Sequence, residues 1–218
     1  MSNSAPSRRL WRPVGVTELQ LMLEADLRGF PPRLPDQPIF YPVCNEEYAA
    51  EIALKWNVPD EFSGFAGFVV RFDVNSPYAD QFEEHVVGAQ HHRELWVPAE
   101  ELEVFNANIQ DRIVVTHAYY GSKYKGPPTI TNLKGIHASG QPAQLLKILN
   151  YNGMDFLGDT STNWKAIFTN WPLWVDAPPD SLGLTETEKG RLTDAVRARW
   201  ADQWPPLPES VQTTASQP

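Results

Sequence analysis

The run FAGFVVRFDV, residues 65–74, alternates its side chains by character: Phe68, Val70, Phe72 and Val74 fall on one face, Arg71 and Asp73 on the other. A period of two in a β-branched and aromatic segment predicts a strand with one face against a core. Towards the N-terminus, Leu10–Val14 predicts a shorter strand. Thr17 with Gln20 three residues on reads as a capping box, opening a helix whose apolar face carries Leu19, Met22, Leu23 and Leu27 and which stops near Gly29. The prolines of PPRLPDQP, 31–38, forbid regular helix and send the chain across the surface. Ile39–Val43 predicts a second strand. Asn45 is a good N-cap, and Glu46 and Glu47 suit the positive end of the helix that follows. On the C-terminal side, Gln90–Val97 contains a strand, Pro98 opens the short helix AEELEVFN, and Arg112–Tyr120 is a last strand. Strand, helix, strand, helix and then mostly strands is an α+β order.

Beyond Tyr120 the pattern changes. GSKYKGPPTI, 121–130, reads as a linker. Gln144–Leu149 predicts a helix, Tyr151-Asn152-Gly153 a turn, and Thr185–Trp200 a helix with Thr185 and Glu188 as its capping box. The expected organisation is a disordered tail at 1–9, an α+β domain at 10–120, a helical and irregular extension at 121–204, and a second disordered tail at 205–218. Trp164, Phe168, Trp171 and Trp174 form an aromatic cluster within the extension. It reads either as a small second core or as the surface of a non-catalytic protein-interaction module, since Trp and Phe favour interface centres.

The 218 residues carry a formal net charge of −9, which disfavours general affinity for nucleic acid. Cys44 is the single cysteine, so neither an internal disulfide nor a Cys-rich zinc site is expected. It lies between a strand and a helix and reads either as a thiol activated by the helix N-terminus or, more simply, as a small semi-buried residue. No apolar run reaches the ~20 residues of a membrane span, and MSNSAPSRRLWRP lacks an apolar signal core, so a cytoplasmic location is the default.

No GxSxG elbow, Walker loop or GxGxxG turn occurs. Glu83, Glu84, His85, His91, His92 and Glu94 are the densest group of titratable residues. Read as strand, this stretch points His91 and His92 to opposite faces, and no metal is expected there. Glu94 heads the apolar strand Leu95-Trp96-Val97, where a rigid carboxylate could face an oxocarbenium-like ribose. Arg12 could hold a pyrophosphate, and Tyr41 could stack on a nicotinamide or adenine ring. Plainer roles are Glu94 facing water, Arg12 paired with a carboxylate and Tyr41 in the core.

Three stretches, LWRPVG (10–15), FPPRLPDQPIFYPVCNEEYA (30–49) and HRELWVPAEELEVFN (92–106), resemble the ADP-ribosyltransferase superfamily, and more closely a bacterial family labelled "ADP-ribosylation/crystallin". The resemblance implies a split sheet around a cleft that takes NAD as substrate. Arg12 and Tyr41 would bind it, Glu94 would stabilise the ribosyl cation, and an acceptor such as a protein would attack. It covers residues 10–120. A Ser-Thr-Ser pattern is absent around Phe40-Tyr41, and His92 stands where arginine-specific members carry Glu or Gln.

Overall fold

The alternating run found at 65–74 is the central strand of a mixed sheet with flanking helices. The structure is a computed structural model and describes residues 6–200 and 203–215. In chain order the elements are β1 (Ser7–Val14), α1 (Val16–Glu24), β2 (Ile39–Phe40), α2 (Glu46–Ile52), β3 (Ala66–Asn75), α3 (Ser76–Ala79), β4 (Glu84–Val86), β5 (Arg93–Leu95), β6 (Val97–Pro98), α4 (Leu102–Ala107) and β7 (Ile109–Tyr120). Then follow α5 (Gln141–Tyr151), α6 (Gly153–Thr162), α7 (Trp164–Asp176), α8 (Glu186–Trp200) and β8 (Gln212–Ala215).

The main sheet runs β1-β3-β7-β8. β3 pairs antiparallel with β1, Phe72 opposite Leu10, and with β7, Phe68 opposite Ala118. One face buries Leu10, Val14, Phe68, Val70 and Phe72. On the other, Val69 and Tyr119 meet Val43, Tyr48, Ala49 and Ala53 of the α2 side. Pro42–Cys44 extends the sheet past β1. Trp11 and Val43 exchange backbone hydrogen bonds of 2.9 and 2.8 Å, and the Leu95 and Cys44 amides donate to the Pro42 and Arg93 carbonyls at 2.8 Å each. The β4–β5 pair therefore hangs from β1 through Val43, and β6 pairs with β2 further along.

Local signals survive where they are self-contained. The Asn45 side chain accepts from the Tyr48 amide at 2.8 Å and caps α2. Thr185 and Glu188 close their box reciprocally, at 2.8 Å from the Thr185 amide and 3.3 Å from the Glu188 amide. At α1 the expectation is corrected. Gly15 is the N-cap and no side chain caps the helix, which ends at Glu24 rather than near Gly29. Gln20 instead reaches α7, donating to Thr169 Oγ1 at 2.6 Å, so a tertiary contact outcompetes the local box.

Both expected tails are corrected over their described parts. β1 begins at Ser7, within the 1–9 segment; residues 1–5 lie outside the described residues. In the 205–218 segment the Trp200 indole donates to the Pro205 carbonyl at 2.7 Å, Arg197 pairs with Glu209 at 2.9 Å, and β8 runs parallel to β7; residues 216–218 lie outside the described residues. Both strand pairings require a partner distant in sequence, so tail composition did not announce them. One apolar cluster takes residues from both sides of 121–130, from Leu10 through Ile113 to Leu145, Trp171 and Trp200. Phe168, Trp171 and Trp174 are buried in it, and the Trp174 indole donates to the Ala138 carbonyl at 2.8 Å. Trp164 packs beside Trp200 and Trp204. Three of the four aromatics are therefore core, and Trp164 is partly buried against it.

No helix among the described residues is long and apolar enough to cross a membrane.

Candidate functional site

Arg12, Tyr41 and Glu94 all lie at the junction where Pro42–Cys44 joins β1 to β5, but they do not share one face. Trp11 is bridged to Val43 and Val43 to Glu94, while His85 stands opposite Glu94 in the β4–β5 pair. Partners in such a ladder project to the same side. Trp11, Val43, Glu94 and His85 thus form a row on the α2 face. Arg12, one residue further along β1, points to the other.

There its guanidinium makes three hydrogen bonds. Nε donates to Glu18 Oε1 at 2.7 Å, Nη2 to Glu18 Oε2 at 3.3 Å and Nη1 to the Tyr41 carbonyl at 3.3 Å. The group also sits 4.6 Å from the centroid of the Phe40 ring. With Arg12 only 8% exposed, the pair is a desolvated, bidentate one in which each partner satisfies the other. Of the possibilities for Arg12, pairing with a carboxylate is what the chain builds.

Glu94 is 9% exposed, and its Oε1 accepts from the Trp96 indole at 2.8 Å. Two residues apart on one extended segment, the carboxylate and the indole share a side. Trp96 is 43% exposed: the His85 ring stacks on its face, centroids 4.1 Å apart, and the Tyr41 ring lies perpendicular to it at 6.2 Å. Tyr41 is itself 37% exposed rather than core. The result is an open aromatic shelf of Tyr41, Trp96 and His85 over a buried carboxylate. Burial first, then the charges of Glu94 and Glu51, raises the Tyr48 hydroxyl above its ordinary range.

Two contributors escaped the sequence reading. Trp96 could have been found from its i, i+2 relation to Glu94. Arg33, in the Pro-rich loop, carried no signal at all. Its Nε is buried without a hydrogen-bond partner among the described residues, and burial followed by the Arg12 charge pulls its pKa down, while Glu18 and Tyr41 act in the opposite sense. Two guanidinium groups and one carboxylate, that of Glu18, thus lie within electrostatic range of one another and of Tyr41. An arginine stays protonated through such a shift, so the spot carries surplus positive charge.

Cys44 is held 3.6 Å from Arg8 Nη2. Burial above all, with Glu84 adding, pushes its thiol up to about 11, so it is the semi-buried residue and not an activated nucleophile. His91 and His92 lie in the turn between β4 and β5, not in a strand, and both rings reach Glu51. The alternation argument that separated them does not apply there. A cavity of about 290 Å³ between β7 and 206–210 is apolar, and the charged groups at its rim, Arg112 and Glu209, are paired with Asp26 and Arg197.

No family model, curated protein or solved structure matches the chain.

Proposed function

We propose that the protein binds a ligand combining a planar ring with an anionic group, NAD being the one nominated by the resemblance at residues 10–120, and that it does so without transferring the ribosyl group. The observation that carries this reading is the position of Tyr41. Its carbonyl accepts from Arg12 at 3.3 Å, and its ring meets Trp96 at 6.2 Å. A cationic surplus from Arg33 thus adjoins an exposed aromatic shelf, the pairing that phosphate and ring require. Arg33 Nε has no partner among the described residues, whereas Arg12 donates to Glu18 and to the Tyr41 carbonyl. Glu94 lies beneath the shelf with one oxygen committed to Trp96. The remaining oxygen is the group a transfer reaction would need, and Arg12, one residue on from the Trp11 that bridges to Val43, faces the other side of the sheet.

Titration with NAD up to millimolar concentration, followed by indole fluorescence and by nicotinamide release, tests the reading. Saturable quenching without released nicotinamide is expected. Arg33→Ala removes charge-assisted hydrogen bonds worth ~1.5–3 kcal/mol, which weakens binding about 10- to 100-fold. Absence of any saturable response overturns the binding reading. Release of nicotinamide that Glu94→Gln abolishes would instead establish transfer.

A further inference from the structure

The hairpin turn between β4 and β5 is braced from several directions. The Val87 amide donates to the His92 carbonyl at 2.9 Å and the His92 amide to the Ala89 carbonyl at 2.8 Å. The Asn45 side-chain amide donates to the His91 carbonyl at 2.6 Å. The Tyr48 ring stacks on the His92 ring, centroids 4.4 Å apart and planes within 18°. Glu51 follows Tyr48 by three residues on α2 and so lies on the same helical face. Both imidazoles then converge on one atom: Nε2 of His91 is 3.2 Å and Nε2 of His92 is 3.1 Å from Glu51 Oε2. The three candidate ligand atoms lie within 4.8 Å of one another.

We propose that Glu51, His91 and His92 bind a divalent transition metal of the zinc class. Two imidazoles and one carboxylate are the donor set that such ions take with three protein ligands and an open position. The spacing agrees. Bonds of ~2.1 Å to a tetrahedral centre put neighbouring ligand atoms roughly 3.4 Å apart, close to the present nitrogen–oxygen separations. The ion would replace two N–H···O contacts at Oε2. Lys55 Nζ holds the other oxygen, Oε1, at 2.7 Å, which orients the carboxylate but sets a positive charge nearby, so the affinity belongs in the micromolar class rather than that of a closed structural site. His91 is 41% exposed, and the ion has a direct path from solvent.

A second consequence follows from His92. The Ala89 amide lies 3.2 Å from His92 Nδ1 and can only donate, so in the neutral ring the proton is on Nε2. Metal at Nε2 requires that proton on Nδ1, which breaks the Ala89 contact. Uptake of metal is therefore coupled to a change at the Ala89 amide. Gly88 keeps this turn tight: a Cβ there would stand 2.8 Å from His92 Nδ1.

The test uses the full chain, stripped by chelator and titrated with Zn²⁺ in a calorimeter and with Co²⁺ by visible absorption. One equivalent bound, Co²⁺ bands of a four- or five-coordinate nitrogen–oxygen site and a shift of the Ala89 amide resonance are expected. His91→Ala and Glu51→Gln each weaken binding by about 100-fold or more, the upper end of what losing even an outer-sphere partner costs. His137→Ala, elsewhere in the fold, leaves it unchanged. Both altered side chains are partly exposed, so circular dichroism matching that of the parent is expected of these variants. No saturable uptake, or uptake that persists in the His91→Ala, Glu51→Gln double variant, overturns the proposal. The nucleotide reading rests on Arg33, Tyr41 and Trp96, so either can fail without the other.

Discussion

Asn45 joins two elements with one side chain, and replacing it separates the contributions. Its Oδ1 caps α2 through the Tyr48 amide at 2.8 Å, and its Nδ2 donates to the His91 carbonyl at 2.6 Å. Asn45→Ala removes both. An N-cap contributes about 1 kcal/mol, and a neutral hydrogen bond contributes a similar ~1 kcal/mol. The expected loss is ~2 kcal/mol, which for a chain of this size lowers Tm by ~4–8 °C. Asn45→Ser keeps a capping oxygen but is too short to reach His91, so it should cost about half as much, ~1 kcal/mol. Urea denaturation followed by far-UV circular dichroism, with the slope held common, measures both variants. Equal losses for Ser and Ala would mean that the cap contributes nothing. A loss below ~0.5 kcal/mol for Ala would refute the joining role altogether.

Two further outcomes follow from the same face of the sheet. Gly67 on β3 faces the π-helical turn Ala53–Asn57, and a Cβ there would stand 2.5 Å from the Ala53 carbonyl oxygen; Gly67→Ala should therefore cost ~1–3 kcal/mol by overpacking against backbone, read from the denaturation midpoint. The Glu51 carboxyl is held down to about 2 from 4.5, by Lys55 first and then by His91 and His92. A depressed folded-state pKa adds stability that is complete above 4.5 and is lost as pH falls through about 2. In chelator, the native protein should thus lose stability across that window more steeply than Glu51→Gln, and parallel pH profiles would show the contacts to be inert.

What the chain announces by itself is whatever its neighbours in sequence decide. The period of two at Phe68–Val74 specifies β3 and the side it buries. Asn45 and the Thr185–Glu188 pair mark helix starts because a cap needs only the next turn. The α+β order followed from these signals. Which side chains meet did not, because it depends on register. The bridge at Val43 puts Trp11 in line with Glu94; a slip of one residue would have lined up Arg12 instead, and the two groups whose sequence context suggested a shared substrate would then have shared a face. Arg33 gained its place beside Arg12 and Tyr41 only when the Pro-rich loop was laid down. His91 and His92 met Glu51, about forty residues earlier, because the chain between β4 and β5 turns there instead of running on as strand. β8 pairs in parallel with β7, whose residues lie far earlier in the chain. Periodicity reports on residues a few positions apart, whereas a site joins groups separated by tens of residues, and only the packed sheet fixes their distances.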